Sequence, residues 1–465
     1  MTVRVRFAPS PTGKVHVGNV RTALVNVLFA RKTGGQFILR FEDTDLERQV
    51  DDAEQNMLAA LKWLGMTPDE SIDHGGDFGP YRTRERDARG DYKAALDKLF
   101  GLGLAYECFV SKDELDMIRR LRTSRGLPSG YDNRHRDLTE AEREAFRKEG
   151  RVPVIRFKLL DGEILFEDMV RGSVRYEAQH LGGDPVIVRS NGMPTFAFAG
   201  AVDDINQKMT HIIRGEDHVT NTAIQVRIFE ALSGGCPKFA HLPMMLDHDG
   251  GKLSKRLDSL SITQLQERGY MAEAIVSYLA AIGTSVDPTL GTIDELAERF
   301  DFAKMGRAPV RFDLDQVDRL NAQIIHQMPW GEVKDRMRVL TSSDMDEATL
   351  ETFWYTVRPN LKRLEEVTDQ FNLCFAEIQP ANLGADDASY IRAAEETLPK
   401  GPYTKETWGQ WVGTLKEKTG RKGKELFMPL RLALTGVEHG PELADLLPLI
   451  GEDRARKRLH KAAGK

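Results

Sequence analysis

The chain has 465 residues, and at about 150 residues per domain it has room for roughly three domains with more than one buried core, which excludes a peptide hormone, a lone zinc module and a coiled-coil rod. An apolar fraction of 41%, a charged fraction of 29% and a mean hydropathy of −0.41 describe a globular chain too apolar to be mostly disordered. The formal net charge of −6 gives no global sign of nucleic-acid binding, so a polyanionic partner must be held by local basic patches.

Val3, Val5 and Phe7 alternate with Arg4 and Arg6 at period two, which predicts a strand with one apolar face, and the Pro/Gly-rich turn at 9–13 ends it. Apolar residues recur at helical spacing from Val20 to Leu28, followed by Gly34-Gly35 where a C-cap glycine belongs. Residues 37–41 read as a second strand, and 53–64 as a helix stopped by Gly65. This order predicts an α/β fold with a Rossmann-like parallel sheet, carrying its ligand at the carboxyl end of the first strand. We assign residues 1–70 and 186–248 to it. Residues 71–185, with short helices, charge and glycine-rich connections, read as an inserted α+β domain. The strand-like stretch 186–189, a helix over about 218–232 and the turn at 247–251 return to the α/β pattern. Residues 249–320 carry a second motif loop and a connecting helical segment, and 321–465 show helical periodicity with few strand signals. No apolar run approaches the roughly 18 residues of a membrane span, and residues 1–7 do not build a signal-peptide core, which predicts a cytoplasmic protein. Cys108, Cys236 and Cys374 form no local C-x-x-C pair and read as reduced.

Two stretches carry chemistry. In His16-Val-Gly18-Asn19, Gly18 removes a side chain where a planar base could lie against the backbone, and the helix N-terminus offers free N–H groups to phosphates. His16 can donate to a phosphoryl oxygen as charge builds in a transition state. In Lys252-Leu-Ser254-Lys255-Arg256, two lysines three apart can clamp phosphate oxygens, and the preceding glycines let the loop close. Taken singly, each stretch also fits a solvated turn. Their order along the chain joins them.

With both in place, the chain resembles the class I aminoacyl-tRNA synthetases, and the run from Arg6 through Ser10 and His16 to Asn19 is similar to the glutamyl-tRNA synthetase family. The likeness continues at 40–45, 60–65, 79–82, 202–204, 213–218, 312–315 and 429–436. It implies activation of L-glutamate by ATP with Mg²⁺, transfer to the terminal adenosine of tRNA(Glu), and a C-terminal helical region that binds the anticodon. Whether tRNA(Gln) is also charged stays open at this point. A glutaminyl-tRNA synthetase and a non-catalytic tRNA-binding paralogue are the competing readings. The resemblance assigns His16, Lys252 and Lys255 to catalysis, and Gly18, Asn19, Asp217, His218 and Ser254, with those three, to ATP. It assigns Arg6, Ala8, Ser10, Glu42, Phe196 and Arg214 to the glutamate pocket. The chain departs from the family's pattern at Phe196 and Gly200, which removes a phenolic hydroxyl and an amide from the pocket's expected edge. Some relatives carry zinc in the insertion; the matching positions here are Cys108, Val110, His135 and Asp137, too poor a donor set for a structural site, so no zinc is expected.

Between 119 and 136 there are six arginines against one acidic residue, Asp132, a pattern that suits acceptor-stem phosphates or, equally, a solvated helix face. Arg119, Arg120 and Arg122 are the tRNA candidates there, with Arg358 in the C-terminal region. The resemblance also implies a monomer.

Overall fold

In the computed structural model, which describes residues 2–11, 13, 15–43, 52–251, 253, 260–379 and 383–464, strand β1 (Arg4–Phe7) is buried along its whole length, arginines included. Arg4 Nη1 reaches Glu70 Oε1 at 2.8 Å, and Arg6 Nε reaches Asp204 Oδ1 at 3.0 Å. The period-two pattern thus marks a strand covered on both faces, one apolar and one filled by guanidinium–carboxylate pairs.

Helix α1 (Val17–Thr33) connects β1 to β2 (Gln36–Leu39), which pairs in parallel with it, Val5 opposite Phe37. The helix starts one turn earlier than the apolar period indicates, because the His16 side chain caps it, a signal that hydrophobic spacing does not carry. It ends at Gly34, whose φ of 62° lets its N–H close on the carbonyls of Ala30 and Arg31. The helix expected near 53–64 is Ala53–Trp63.

Strands β3 (Ala105–Cys108), β4 (Val154–Phe157), β5 (Glu163–Asp168), β6 (Gly172–Glu177) and β7 (Val186–Val188) follow. An antiparallel sheet ordered β3-β4-β7 forms one part of this region, beside helices Lys112–Ser124 and Glu140–Lys148 that open on capping boxes at Ser111 and Thr139. Two assignments differ from the sequence reading. Strand β7 does not rejoin the parallel sheet but pairs antiparallel with β4, Ile155 opposite Val188. Conversely, the hairpin β5-β6, within the segment read as inserted, extends the sheet formed with β8 (His211–Gly215) and β9 (Lys238–Leu242), in the order β6-β5-β9-β8. Short strands carry little periodicity, and pairing partners far away in sequence decide which sheet they join.

Strands β8 and β9 run parallel, Arg214 opposite His241. Thr210, just before β8, ties it to β1: it accepts from Arg4 N at 2.8 Å and its own N–H donates to Arg4 O at 3.0 Å. Helices Phe196–Asn206 and Val219–Ser233 pack in this layer around a core that includes Phe198, Ala223, Phe229 and Phe239. Strands β10 (Met245–Leu246) and β11 (Val310–Arg311) form a separate parallel pair.

The chain divides into two compact units, Met1–Leu265 with Ile275–Asp313, and Gln266–Ala274 with Leu314–Lys465. Among its described residues the second unit holds helices and no strand, as the sequence predicts. Its core centres on fully buried Trp354 and Trp411, whose indole N–H groups donate to the carbonyls of Met328 and Ala394, each at 3.1 Å. No helix among the described residues is long and apolar enough to cross a membrane.

Trp354→Ala is expected to destabilise the helical unit by about 3–5 kcal/mol, through cavity formation. Val339→Ala, at a side chain 77% exposed, should change stability by less than about 0.5 kcal/mol. Chemical denaturation followed by tryptophan fluorescence measures both.

Candidate active site

The carboxyl ends of β1 and β8 open into a cavity of about 650 Å³, where the loop from β1 meets the N-terminus of α1. Ligands of open α/β sheets bind at such a crevice. His16 forms part of the wall. Its Nδ1 accepts from Gly18 N–H at 3.1 Å, and burial lowers its pKa, so the neutral ring carries its proton on Nε2. A Cβ at Gly18 would lie 3.0 Å from His16 Cε1 and Nδ1. The glycine therefore makes room for the capping imidazole as well as for a ligand. One turn on, Arg21 donates to Pro243 O at 2.8 Å and to Ile282 O at 3.2 Å, tying the helix to the segment before β10.

Arg6 and Glu42, which line the cavity, belong to a buried ionic cluster. Fully buried Arg40 donates to Asp204 Oδ1 at 2.9 Å, to Gln207 Oε1 at 2.8 Å and to Glu42 Oε1 at 3.1 Å. Asp204 is shared with Arg6, through contacts of 3.0 and 3.3 Å. Burial alone would raise the Asp204 pKa, but the charges of Arg6 and Arg40 outweigh it and hold it below the ordinary value. Asp203, which accepts from Tyr92 Oη at 2.9 Å, is raised to about 7 by burial, against the pull of Arg40 and Arg86. Burial also raises Glu42, and its Oε2 has no hydrogen-bond partner among the described residues.

Arg214 differs from Arg6 and Arg40. It has no ion pair with a carboxylate among the described residues, and its contacts are neutral: Thr222 Oγ1 and Gln225 Oε1, each 2.6 Å from Nη2, and His241 Nε2, 3.5 Å from Nε. Burial, with the like charge of Arg6, brings its pKa down to about 9, so it is still charged at neutral pH. A charged guanidinium held by neutral acceptors is a receptor for an anion.

Ala8, Ser10, Asn19, Phe196, Asp217 and His218 line the same cavity, so it gathers every described residue of the expected ATP and glutamate sets. Phe196 stacks on His218 with ring centres 4.9 Å apart, and His218 is pushed down to about 4, by burial first and then by the charge of Arg214. Lys252, Ser254 and Lys255 lie outside the described residues. Gly200 leaves room beside Gln225, whose Nε2 would sit 3.2 Å from a Cβ there; that amide is fully buried and donates to Ala197 O at 3.0 Å.

The tRNA candidates divide. Arg119 and Arg120 are exposed, Arg119 in a surface pair with Asp116 at 3.1 Å. Arg122 is half-buried, and its Nε donates to Pro128 O at 2.9 Å. Arg134 and Arg136 are engaged with Asp132 and Asp184, at 2.8 and 2.7 Å. Arg358 donates to Met328 O at 2.5 Å and stacks over Tyr355, which leaves less of its guanidinium for a base than its place in sequence suggests. At the zinc-matching positions, Cys108 donates to Tyr131 Oη at 3.5 Å, His135 Nδ1 accepts from Phe109 N at 3.1 Å, Asp137 faces Lys158 at 3.3 Å, and Val110 packs with apolar neighbours. These donors do not fit a four-ligand zinc site.

Comparison with known proteins decides the family. Residues 2–319 match the family described as tRNA synthetases class I (E and Q), catalytic domain, and residues 325–463 match an anticodon binding domain. The chain belongs to the class I tRNA synthetases (E and Q). It is 44% identical over 459 residues to glutamate–tRNA ligase 1 of Maricaulis maris, covering 98% of each chain. It is 42% identical over 470 residues to glutamate–tRNA ligase 1 of Brucella canis, covering 98% of this chain and 100% of the relative. The crystal structure of a glutamate tRNA ligase from Elizabethkingia meningosepticum in complex with its amino acid superposes with a TM-score of 0.85 at 32% identity, over 100% of this chain and 99% of that one. The class I fold and the helical C-terminal anticodon domain follow from these matches.

Reading the sequence missed Arg40, Asp168, Thr222, Gln225 and His241, which lie behind the cavity lining and contact Glu42 and Arg214 directly or through one another. A signal existed for two of them. Thr222 and Gln225 lie three apart within the helix Val219–Ser233 and are fully buried, so a polar stripe occupies positions where the helical period calls for apolar residues.

Gly18→Ala is expected to displace the His16 ring and lower adenylate formation by about 100-fold, the cost of a misplacement near 1 Å at a reacting centre. In the unaltered protein, ¹⁵N NMR should find His16 neutral at neutral pH, protonated on Nε2, with a pKa below the ordinary histidine value.

Proposed function

We propose that the chain is a glutamate–tRNA ligase that activates L-glutamate with ATP and passes the glutamyl group to tRNA(Glu). The observation that carries this reading is the pairing, in one cavity, of a guanidinium, Arg214, and a buried carboxylate oxygen, Glu42 Oε2, that have respectively no carboxylate partner and no donor among the described residues. An amino acid with a side-chain carboxylate supplies both missing partners, one through its γ-carboxylate and the other through its ammonium group. Near full-length identity to enzymes named for this reaction supports the same substrate.

With the substrate so held, its α-carboxylate is free to attack the α-phosphorus of ATP, which enters as its magnesium complex. An oxygen–phosphorus bond forms, the bond to the β-phosphate breaks, and pyrophosphate leaves. The chain supplies no nucleophile. Its part is position and charge: His16 Nε2–H donates to a phosphoryl oxygen, the N-terminal N–H groups of α1 face the phosphates, and Gly18, Asn19, Asp217 and His218 border the nucleoside. Lys252, Ser254 and Lys255 serve the β- and γ-phosphates. A ribose hydroxyl of the terminal adenosine then attacks the acyl carbon, and AMP leaves. Arg119, Arg120 and Arg122 meet acceptor-stem phosphates, and Arg358 serves the anticodon side.

Glutamine is rejected because its amide N–H₂ would face the donors of a guanidinium that is only 6% exposed, and a site built for one polar group rejects a mismatched analogue by about 10⁴ or more. Arg6 is already committed to Asp204 through Nε and Nη2, so Arg214 carries most of this discrimination. Ala8 and Ser10 border the α-carboxylate.

Aminoacylation of purified tRNA(Glu) and tRNA(Gln) side by side, with radiolabelled glutamate, tests the reading: glutamylated tRNA(Glu) is expected, and ATP consumption without charging of either tRNA would sink it. The tRNA(Gln) arm reports whether the chain also serves that acceptor. Arg214→Ala should cut kcat/KM for glutamate severely and narrow the glutamate-to-glutamine ratio, while Phe196→Tyr changes that ratio little. Lys255→Ala should lower kcat for adenylate formation at a cost of about 2–4 kcal/mol in the barrier, with little effect on glutamate KM, in single-turnover measurements.

A further inference from the structure

A buried relay lies against Arg214. His241 sits on β9 directly opposite Arg214 on β8, and both His241 and Thr222 are completely buried. His241 Nδ1 is 2.6 Å from Asp168 Oδ2, and its Nε2 is 2.8 Å from Thr222 Oγ1 and 3.5 Å from Arg214 Nε. The Asp168 carboxylate, at the end of β5, cannot turn freely, because its Oδ1 accepts the N–H groups of Val170 and Arg171 at 2.9 and 2.8 Å. An ionised carboxylate at Nδ1 takes the proton there, so the neutral ring presents its Nε2 lone pair. With that tautomer the Thr222 hydroxyl turns its proton to the lone pair at 2.8 Å in preference to the His218 carbonyl at 3.1 Å, and its oxygen accepts from Arg214 Nη2 at 2.6 Å.

The relay thus presents only neutral atoms to Arg214. A carboxylate placed directly on this guanidinium would orient it equally well, but would also neutralise the charge that a substrate carboxylate needs. One imidazole of separation keeps Asp168 in control of geometry without quenching that charge.

We propose that Asp168 and His241 are positioning residues that fix one imidazole tautomer, aim the Arg214 guanidinium into the cavity, and thereby set the preference for an amino-acid carboxylate over its amide. The inference rests on the reading of Arg214 as the carboxylate receptor.

The test is steady-state aminoacylation by the full chain with tRNA(Glu), using glutamate and glutamine, for Asp168→Asn, His241→Asn, His241→Gln and Arg214→Ala. In Asp168→Asn the two backbone donors hold the amide oxygen at the Oδ1 place, so the NH₂ faces His241 Nδ1 and drives the proton to Nε2, against the Arg214 N–H. His241→Asn keeps a donor for Asp168 but has no atom at the Nε2 place, whereas His241→Gln puts an amide oxygen there. Asp168→Asn and His241→Asn are expected to raise KM for glutamate about tenfold and to narrow the glutamate-to-glutamine kcat/KM ratio by a similar factor, the effect of one lost charge-assisted hydrogen bond. KM for ATP should stay within about twofold, and His241→Gln should recover most of the loss. If His241→Asn does not fold, the nearly isosteric Asp168→Asn decides. A folded Asp168→Asn with unchanged glutamate KM and ratio overturns the proposal. So do losses spread equally over ATP and glutamate that His241→Gln does not restore. Should Arg214→Ala itself leave both parameters unchanged, the receptor reading falls; should Arg214→Ala impair selection while Asp168→Asn does not, only the positioning role falls.

Discussion

Arg40 is a guanidinium with no exposed surface, and the site wall is built around it. Removing such a group from water is costly unless it is paired, and here Asp204 and Gln207 from one stretch of chain and Glu42 from another accept from its Nη groups, while its Nε faces Asp203 Oδ2 at 3.6 Å. Asp204 and Gln207 belong to the helix Phe196–Asn206 and the residue after it, and Glu42 lies just past β2. A change at Arg40 would leave Gln207 Oε1 and Glu42 Oε1 without their partner and Asp204 with Arg6 alone, so the cluster ties the helix, the sheet edge and the Glu42 carboxylate into one arrangement. Arg6, sharing Asp204, extends the tie to β1.

This explains how a pocket with so many charges keeps two of them for a ligand. Most guanidinium and carboxylate groups are satisfied internally, and their burial makes any rearrangement costly. What is left over is local: the Arg214 charge, held by hydroxyl, amide and imidazole acceptors, and one oxygen of Glu42. The proposed nucleotide side has a different device: His16 caps α1 through one ring nitrogen and keeps the other as a donor. Both halves depend on preorganised donors in a partly dry crevice, where electrostatic stabilisation costs no reorganisation as the reaction proceeds.

The helical unit follows simpler physics. Its two fully buried tryptophans fill the core and still satisfy their indole N–H groups on backbone carbonyls. Arg358 is partly drawn into the fold by the Met328 carbonyl and the Tyr355 ring.

By itself the sequence determined the first strand–helix–strand unit and the helical nature of the C-terminal region, and marked His16 and Gly18 as a motif, because these are local: a period of two or 3.6, a turn of glycine and proline, a motif of a few residues; Glu42 and Arg214 were singled out only through the family resemblance. Tertiary structure decided the rest. Which sheet β5, β6 and β7 join depends on partners far away in sequence, and the stretches themselves are too short to say. Arg6 and Arg214, both expected in the glutamate pocket, part company only in three dimensions, where Asp204 claims one and neutral atoms hold the other. The relay from Asp168 through His241 and Thr222 spans 73 and 19 residues of sequence between its contacts, and no spacing rule reaches across such gaps. A charge read from sequence is only a charge; whether it is spent inside the protein or kept for a substrate is settled by what folding places next to it.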